Sequence, residues 1–436
     1  MNKKYYIIGG VIIFLLIVAL GVYFTSGGNK PKPSDEQIEL TWWKTFEDSQ
    51  YISVLIDEYQ NTHQNVRINY VKKDAGDYEL DLLDAIASGS GPDIFSIHND
   101  WLPKHSQKII PIPETIMSLR EYKDSFVDVA YGDFVKDNKI YAVPLAVDVL
   151  ALYYNKDILG SAGISQPPRT WPELVSDVQK ITKVSKNGVF SRSGIAMGTA
   201  NNVNRSVDIL SLIMLQNGTK FYSDDFTTAS FDQTQNTSGA VNFSPGARAL
   251  AYYTQFANPA NVAYTWNVKS DFSVDAFTQG KVAMMINYQY MEPLIKAKSP
   301  TLNWEVAAIP QISEEATKIN FANYWGEAIS KNSKNQLAAA DFLKFISSRE
   351  VLSKYYSSPR KVVSSRKDLI PAQKGDTEIG VFADGALTAR SVFKKDADDY
   401  EGVFLKMIND VILNNFEVED ALRNGVQQIN FSLQKQ

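Results

Sequence analysis

The chain predicts an α/β fold in which helices cover a parallel sheet, and three observations lead there. Strand-like apolar segments alternate with segments of helical periodicity from residue 38 onward. The helical segments carry apolar residues at i, i+3, i+4 and i+7, a single stripe of a helix. Glycine and proline punctuate the joints, as at Gly89 and Gly91-Pro92-Asp93. A chain of 436 residues is long enough for two domains, or for one fold with two lobes.

The elements follow in order. Residues 38–43 read as a buried strand, and Ile52, Leu55, Ile56 and Tyr59 stripe the helix after it. Residues 66–71 alternate as a half-buried strand does. Tyr78, Leu82, Leu83 and Ile86 stripe a second helix that ends at Gly89, and residues 94–97 form a third strand. This βαβαβ run is the signature of parallel pairing with helical crossovers. Farther along, residues 281–286 and 304–309 read as strands, and residues 337–346 as an Ala- and Phe-rich helix. Val403, Met407, Ile408, Val411 and Ile412 stripe another helix, and Ala421, Leu422, Val426 and Ile429 the last. Residues 220–245, rich in Ser, Thr, Asn, Asp and Gly, read as a surface excursion.

Composition removes several function classes. With Lys+Arg 44 against Asp+Glu 49 the net charge is −5, the wrong sign for a nucleic-acid partner, which needs a basic field. The absence of cysteine excludes disulfides, thiol nucleophiles, thiolate metal sites and a lipid-modified cysteine anchor. The three histidines, His63, His98 and His105, form no HExxH motif and read as satisfied side chains, so no metal is expected. No GxSxG or phosphate-cradling glycine loop occurs, and no cofactor is expected. The 22 Tyr, 22 Phe and 7 Trp suit a protein that stacks on a ligand, although large cores also consume aromatics.

Residues 5–24 are twenty consecutive uncharged, mostly apolar residues, long enough as a helix to span the ~30 Å hydrocarbon layer. Lys3 and Lys4 precede them, which places the N-terminus in the cytoplasm and the rest outside the cell membrane. A cleaved signal peptide is the rival. The run ends in Val22-Tyr23-Phe24-Thr25 rather than a small-x-small site, which favours a single uncleaved transmembrane anchor. Residues 25–36, rich in Gly, Pro and Lys, read as a flexible linker.

The most informative stretch is residues 139–174. Between Tyr141 and Tyr154 the only charge is Asp148, so that carboxylate is either paired in a core or aimed into a cleft. Thr170 and Glu173 then form a capping box, with Pro172 in the first helical turn. Five segments in order resemble the extracellular solute-binding proteins of ABC importers, and more narrowly the sugar-binding family that includes maltose-binding protein. They are Gly91-Pro92-Asp93-Ile94-Phe95 with Asp100; Lys139-Ile140-Tyr141-Ala142-Val143-Pro144 through Tyr154-Asn155-Lys156-Asp157; Pro168-Arg169-Thr170-Trp171-Pro172-Glu173-Leu174; Phe277-Thr278-Gln279-Gly280-Lys281-Val282-Ala283-Met284; and Trp325-Gly326 to Ser330 with Ala338-Ala339-Ala340. Together they are specific for the family but not for the ligand. The chain departs from the pattern at Ser364, where the family commonly has proline, and in lacking a lipid-anchoring cysteine.

The resemblance implies a two-lobed, class II periplasmic-binding-protein-like fold that closes on its ligand by a hinge. Lobe 1 would comprise residues 37–145 and 311–350, and lobe 2 residues 146–310 and 351–436. It also implies a non-enzymatic, monomeric receptor that captures a carbohydrate-like ligand and delivers it to an ABC permease. A membrane-tethered glycan sensor or adhesin stays open as an alternative, and so does a glycan hydrolase. At the matching positions, Trp43, Glu47, Asp100 and Trp101 fall on first-lobe loops, Asp148 where the family has a second-lobe carboxylate, and Tyr290 and Trp325 where aromatics stack. Aromatic faces cover the C–H side of a sugar and carboxylates accept its hydroxyls. Trp171 is read as sealing a helix start and Trp42 as core, since Trp42 and Trp43 point to opposite faces of one strand.

Overall fold

The computed structural model describes residues 37–234, 244–357 and 361–435. The expected anchor at 5–24 and linker at 25–36 lie outside them. Among the described residues no helix is long and apolar enough to cross a membrane.

Two sheets organise the chain. In the first, strand Ile38–Lys44 pairs in parallel with Val66–Lys72 on one side and Ile94–His98 on the other. Helices Ser49–Thr62 and Tyr78–Ser88 make the crossovers. The stripe read from the sequence faces the core, with Ile52, Leu55 and Tyr59 buried and Ile56 half-buried. Helix Tyr78–Ser88 stops where Gly89 takes a left-handed backbone, φ +78°, which a residue without Cβ adopts at little cost. Strand Trp325–Ser330, arriving from far along the chain, adds antiparallel to Ile94–His98 and pairs antiparallel with Ala142–Pro144.

The second sheet runs Lys183–Val184, Phe190–Ile195, Val282–Asn287, Ala151–Asn155, Trp304–Ala307. Here Phe190–Ile195 and Val282–Asn287 are parallel, while Ala151–Asn155 is antiparallel to both its neighbours. All six residues of Val282–Asn287 are buried, as a central strand covered on both faces requires. Both sheets are therefore mixed rather than wholly parallel. Strands that return from the other sheet enter from the opposite end, and the βαβ rule governs only consecutive local units.

A third, small sheet lies between these two. Asn320–Asn323 pairs antiparallel with Asp148–Val149 and parallel with Ala389–Arg390. Residues 139–174 thus form a crossing: Ala142–Pro144 belongs to the first sheet, Asp148–Val149 to the small one and Ala151–Asn155 to the second. The chain crosses back through Asn320–Asn323 into Trp325–Ser330, and a further passage brings Ser364 beside Ala146 in a β-bridge. Helix Arg349–Tyr356, which spans the expected boundary at 350/351, packs on helix Ser49–Thr62 and ties to it through a Lys354–Glu58 ion pair. The result is a two-domain α/β fold joined by crossing strands.

Several local readings are realised in detail. Both halves of the capping box form at helix Trp171–Ile181, where Glu173 N–H donates to Thr170 Oγ1 (3.3 Å) and Thr170 N–H to Glu173 Oε2 (3.2 Å). Trp171 is buried and its Nε1 donates to Gln216 Oε1 at 2.5 Å. Gly326 has to be small, because a Cβ there would meet the Phe134 ring at 2.6 Å. The surface excursion expected at 220–245 needs correction for its described part. Phe221, Tyr222 and Phe231 are buried, and Phe221 and Phe231 pack against Phe404 of helix Ala397–Ile412. Three aromatics within a polar stretch are enough to pull it into a core.

Candidate functional site: a cleft between the domains

A cleft of about 580 Å³ opens between the two domains, within the range of small-molecule sites. Its floor is the crossing itself, Leu145 to Asp148 and Asn323. Its walls come from loops at strand ends, where ligands of open α/β sheets are bound.

The first wall begins where strand Ile38–Lys44 ends. Lys44 is buried, and its Nζ lies 2.5 Å from Glu327 Oε1 and 3.6 Å from Glu47 Oε2. Burial alone would lower the Lys44 pKa, but Glu327 and Glu47 hold it above its ordinary value. Glu327 also accepts from Trp42 Nε1 (2.7 Å) and Ser96 Oγ (2.8 Å), so its carboxylate is fully engaged beneath the cleft. Phe46 follows with a left-handed backbone, φ +64°, in a three-residue turn that Glu47 N–H closes onto Thr45 C=O at 2.7 Å. The turn projects the Phe46 ring outward, 53% exposed and edge-on to Trp325 at 5.8 Å.

The opposite wall is built on the loop after strand Val282–Asn287. Asp148 Oδ1 accepts from the backbone N–H groups of Val149 and Gln289, both at 2.8 Å, and Oδ2 from Tyr290 N–H at 3.1 Å. Burial pushes its carboxyl up to about 6, and the three donors hold it from rising further. Arg205, itself at φ +64°, donates from Nε and Nη2 to Tyr290 Oη at 2.9 and 2.8 Å. Its guanidinium lies 5.5 Å from the ring centres of both Tyr288 and Tyr290. Glu292 is pushed up to about 7 by burial, despite Lys296 Nζ at 3.6 Å.

Of the seven residues predicted from the sequence, Glu47, Asp148, Tyr290 and Trp325 line this cleft. Trp43, Asp100 and Trp101 do not. Trp43 points to the other face of its strand from buried Trp42 and lies under Lys73 Nζ, 4.3 Å from the ring centre. Asp100 is buried and engaged by His98 and by Lys394 Nζ at 2.9 Å. Trp101 stands behind the wall, edge-on to Trp325 at 5.2 Å. Sequence reasoning missed Phe46, Arg205, Glu292 and Lys361. No local pattern announces a Phe in a left-handed turn, whereas Arg205, just ahead of the apolar helix Ser206–Gln216, stood at a legible helix start. Among the described residues no three His, Asp or Glu side chains gather as a metal site would need.

The profile of the bacterial extracellular solute-binding proteins matches residues 43–352. The chain belongs to this family. A relative is the multiple sugar-binding protein of Streptococcus mutans, 25% identical over 371 residues that cover 84% of each chain. Two solved structures share the fold of this solute-binding protein. One is the cyclic α-maltosyl-1,6-maltose binding protein of Arthrobacter globiformis, with a TM-score of 0.74 at 18% identity, covering 91% of this chain and 99% of that one. The other is an ABC substrate-binding protein of Listeria monocytogenes in complex with cycloalternan, with a TM-score of 0.70 at 18% identity, covering 92% and 100%. These relatives and neighbours are binding proteins.

Proposed function

We propose that this solute-binding protein captures an uncharged carbohydrate between its two domains and delivers it to an ABC permease. The observation that carries this reading is the pairing of aromatic faces with acceptors across one cleft. Phe46, Trp325 and the carboxylate of Glu47 stand on one wall, and Tyr290 with Asp148 on the other. Aromatic rings cover the C–H faces of a sugar while carboxylates take its hydroxyl hydrogens. The sugar-binding relatives support the same ligand class.

The cations argue for a neutral ligand. Lys44 is matched by Glu327, Arg205 by Tyr290 and Asp208, Lys296 by Glu292 and Glu378, and Lys361 by Asp376 and Glu378. Among the described residues lining the cleft, every Lys and Arg therefore has a carboxylate partner, and an anionic ligand would meet net negative surroundings. Closure of the domains would be the capture step. The apolar run at 5–24 would hold the binding domains at the outer face of the cell membrane. That tether suits a sensor as well as a transporter, which keeps the sensor reading as the alternative.

Calorimetry against a panel of neutral oligosaccharides, uronates and sugar phosphates tests the ligand class. Saturable binding of a neutral member, weakened in Tyr290→Ala, is expected. Binding confined to the anionic members would overturn the charge argument. Co-purification of a permease, or a sugar-uptake defect on deletion, separates transport from sensing.

A further inference from the structure

One segment of the second domain grips the first at three points. Strand Ala389–Arg390 leaves the small third sheet, and the chain runs on to helix Ala397–Ile412, which packs against Ser206–Gln216 and Val418–Gln434. Between them, Ser391 Oγ donates to Asp133, Lys394 Nζ to Asp100 Oδ2 at 2.9 Å, and Asp396 Oδ2 lies 3.3 Å from Lys104 Nζ. Asp133, Asp100 and Lys104 all belong to the first domain, on or beside elements that cover or extend its sheet.

The central pair is shielded from water, with the Asp100 side chain 4% exposed and that of Lys394 14%. Burial alone would raise the Asp100 carboxyl, but His98 and Lys394 hold it well below the usual carboxylate range. Asp133 is gripped equally closely, accepting from Asn99 Nδ2 (3.0 Å), Tyr324 Oη (2.7 Å) and Ser391 Oγ. A buried, hydrogen-bonded ion pair between moving bodies is costly to break, because separation leaves two desolvated charges without partners.

These contacts also connect to both walls of the cleft. On the first-domain side, His98, which touches Asp100, lies edge-on to Trp325 at 5.3 Å, and Tyr324 lines the cleft as it holds Asp133. On the second-domain side, helix Ala397–Ile412, which follows the segment, packs against helix Ser206–Gln216, whose Asp208 Oδ2 accepts from Tyr288 Oη at 2.9 Å and sits 4.0 Å from Arg205 Nη1.

We infer that residues 391–396 form an interdomain latch, with Lys394–Asp100 as its bolt, that holds the two domains together and so sets how readily the cleft opens. The latch acts on the domain equilibrium, not on the ligand, since neither Lys394 nor Asp100 lines the cleft. Ligand affinity then depends on the latched fraction, because only the closed arrangement brings both walls to the ligand. The inference rests on domain closure and not on the ligand's being a sugar.

The chain has no cysteine, so two can be introduced for spin labelling, Leu80→Cys in the first domain and Val262→Cys in the second, both exposed positions. Pulsed-EPR distances are measured on the ligand-free protein, with a native circular-dichroism spectrum as the folding control. With the latch intact a short interlabel distance is expected to dominate. In Lys394→Met most of the population shifts to a longer distance, and Lys394→Arg restores the short one. The double variant Asp100→Asn/Lys394→Met, which leaves no buried charge unpaired, opens no further than Lys394→Met alone. An unchanged distance distribution in Lys394→Met and in the double variant overturns the latch. Because no ligand is present, that failure is separate from a failed carbohydrate screen.

Discussion

Arg205 and Tyr290 form a paired unit on the second wall of the cleft. The guanidinium donates twice to the phenol oxygen, from Nε at 2.9 Å and Nη2 at 2.8 Å, while Asp208 holds it from behind. The pair fixes the tyrosine ring as a platform although 45% of the residue is exposed. Removing the ring in Tyr290→Ala deletes an apolar contact face, and a loss of about 10- to 100-fold in saccharide affinity is expected. Tyr290→Phe keeps the face and loses only the two hydrogen bonds, so the expected loss is about 2- to 10-fold. Calorimetry on both variants separates platform from anchor. Equal losses would show that the hydroxyl, not the ring, carries the contact.

Beneath the opposite wall, Glu327 satisfies Lys44, Trp42 Nε1 and Ser96 Oγ at once. Glu327→Ala leaves two buried donors without an acceptor and the buried Lys44 ammonium with only the more distant Glu47, 3.6 Å away. The expected destabilisation is about 3–5 kcal/mol, read as a lower midpoint in urea unfolding. Glu327→Gln retains an acceptor for Trp42 or Ser96 and is expected to lose less. If the alanine variant unfolded at the original midpoint, the network would be supplying no net stability.

The individual helices and their caps were legible in the sequence because each is local in origin. The stripes at Ile52–Leu55–Tyr59 and Tyr78–Leu82, and the capping box at Thr170, each depend on residues within one or two turns. The cleft was only half legible. Asp148, Tyr290 and Trp325 stood out as a lone charge in an apolar run, or as aromatics at family positions. Asp100 was misplaced because its partner, Lys394, is 294 residues away, and no local pattern shows that a carboxylate is already occupied. The polar run after residue 220 misled for a related reason: Phe221 and Phe231 find Phe404 only in three dimensions.

Asp148 is expected to make ligand binding depend on pH. Its carboxyl is pushed up to about 6 by burial, and in the proposed role the ionised form would accept ligand hydroxyls beside its three backbone donors. Affinity is therefore expected to be full above pH 7 and to fall about tenfold by pH 5, where most of the group is protonated. Stability moves the other way. A carboxyl whose folded pKa is raised favours the folded state below its unfolded value near 3.8, and that contribution is lost as pH rises through about 6. Titrations and melting curves at pH 5 and 7.5 check both signs. Asp148→Asn is expected to flatten both profiles, and a profile unchanged in that variant would assign the titration to Glu292 instead.

Phe46 poses the sharpest test of whether the cleft was shaped for a ligand. A bulky residue at φ +64° carries roughly 1–2 kcal/mol of backbone strain. The exposed ring regains only an edge contact with Trp325 at 5.8 Å, worth about 0.5–1.5 kcal/mol. Folding alone therefore gives little reason for a phenylalanine in this turn, and glycine would adopt the same backbone freely. Phe46→Gly is expected to leave the melting temperature unchanged or raised, while saccharide affinity falls by about tenfold or more. The opposite outcome, lower stability with intact affinity, would mean that the ring serves the packing of Trp325 rather than the ligand.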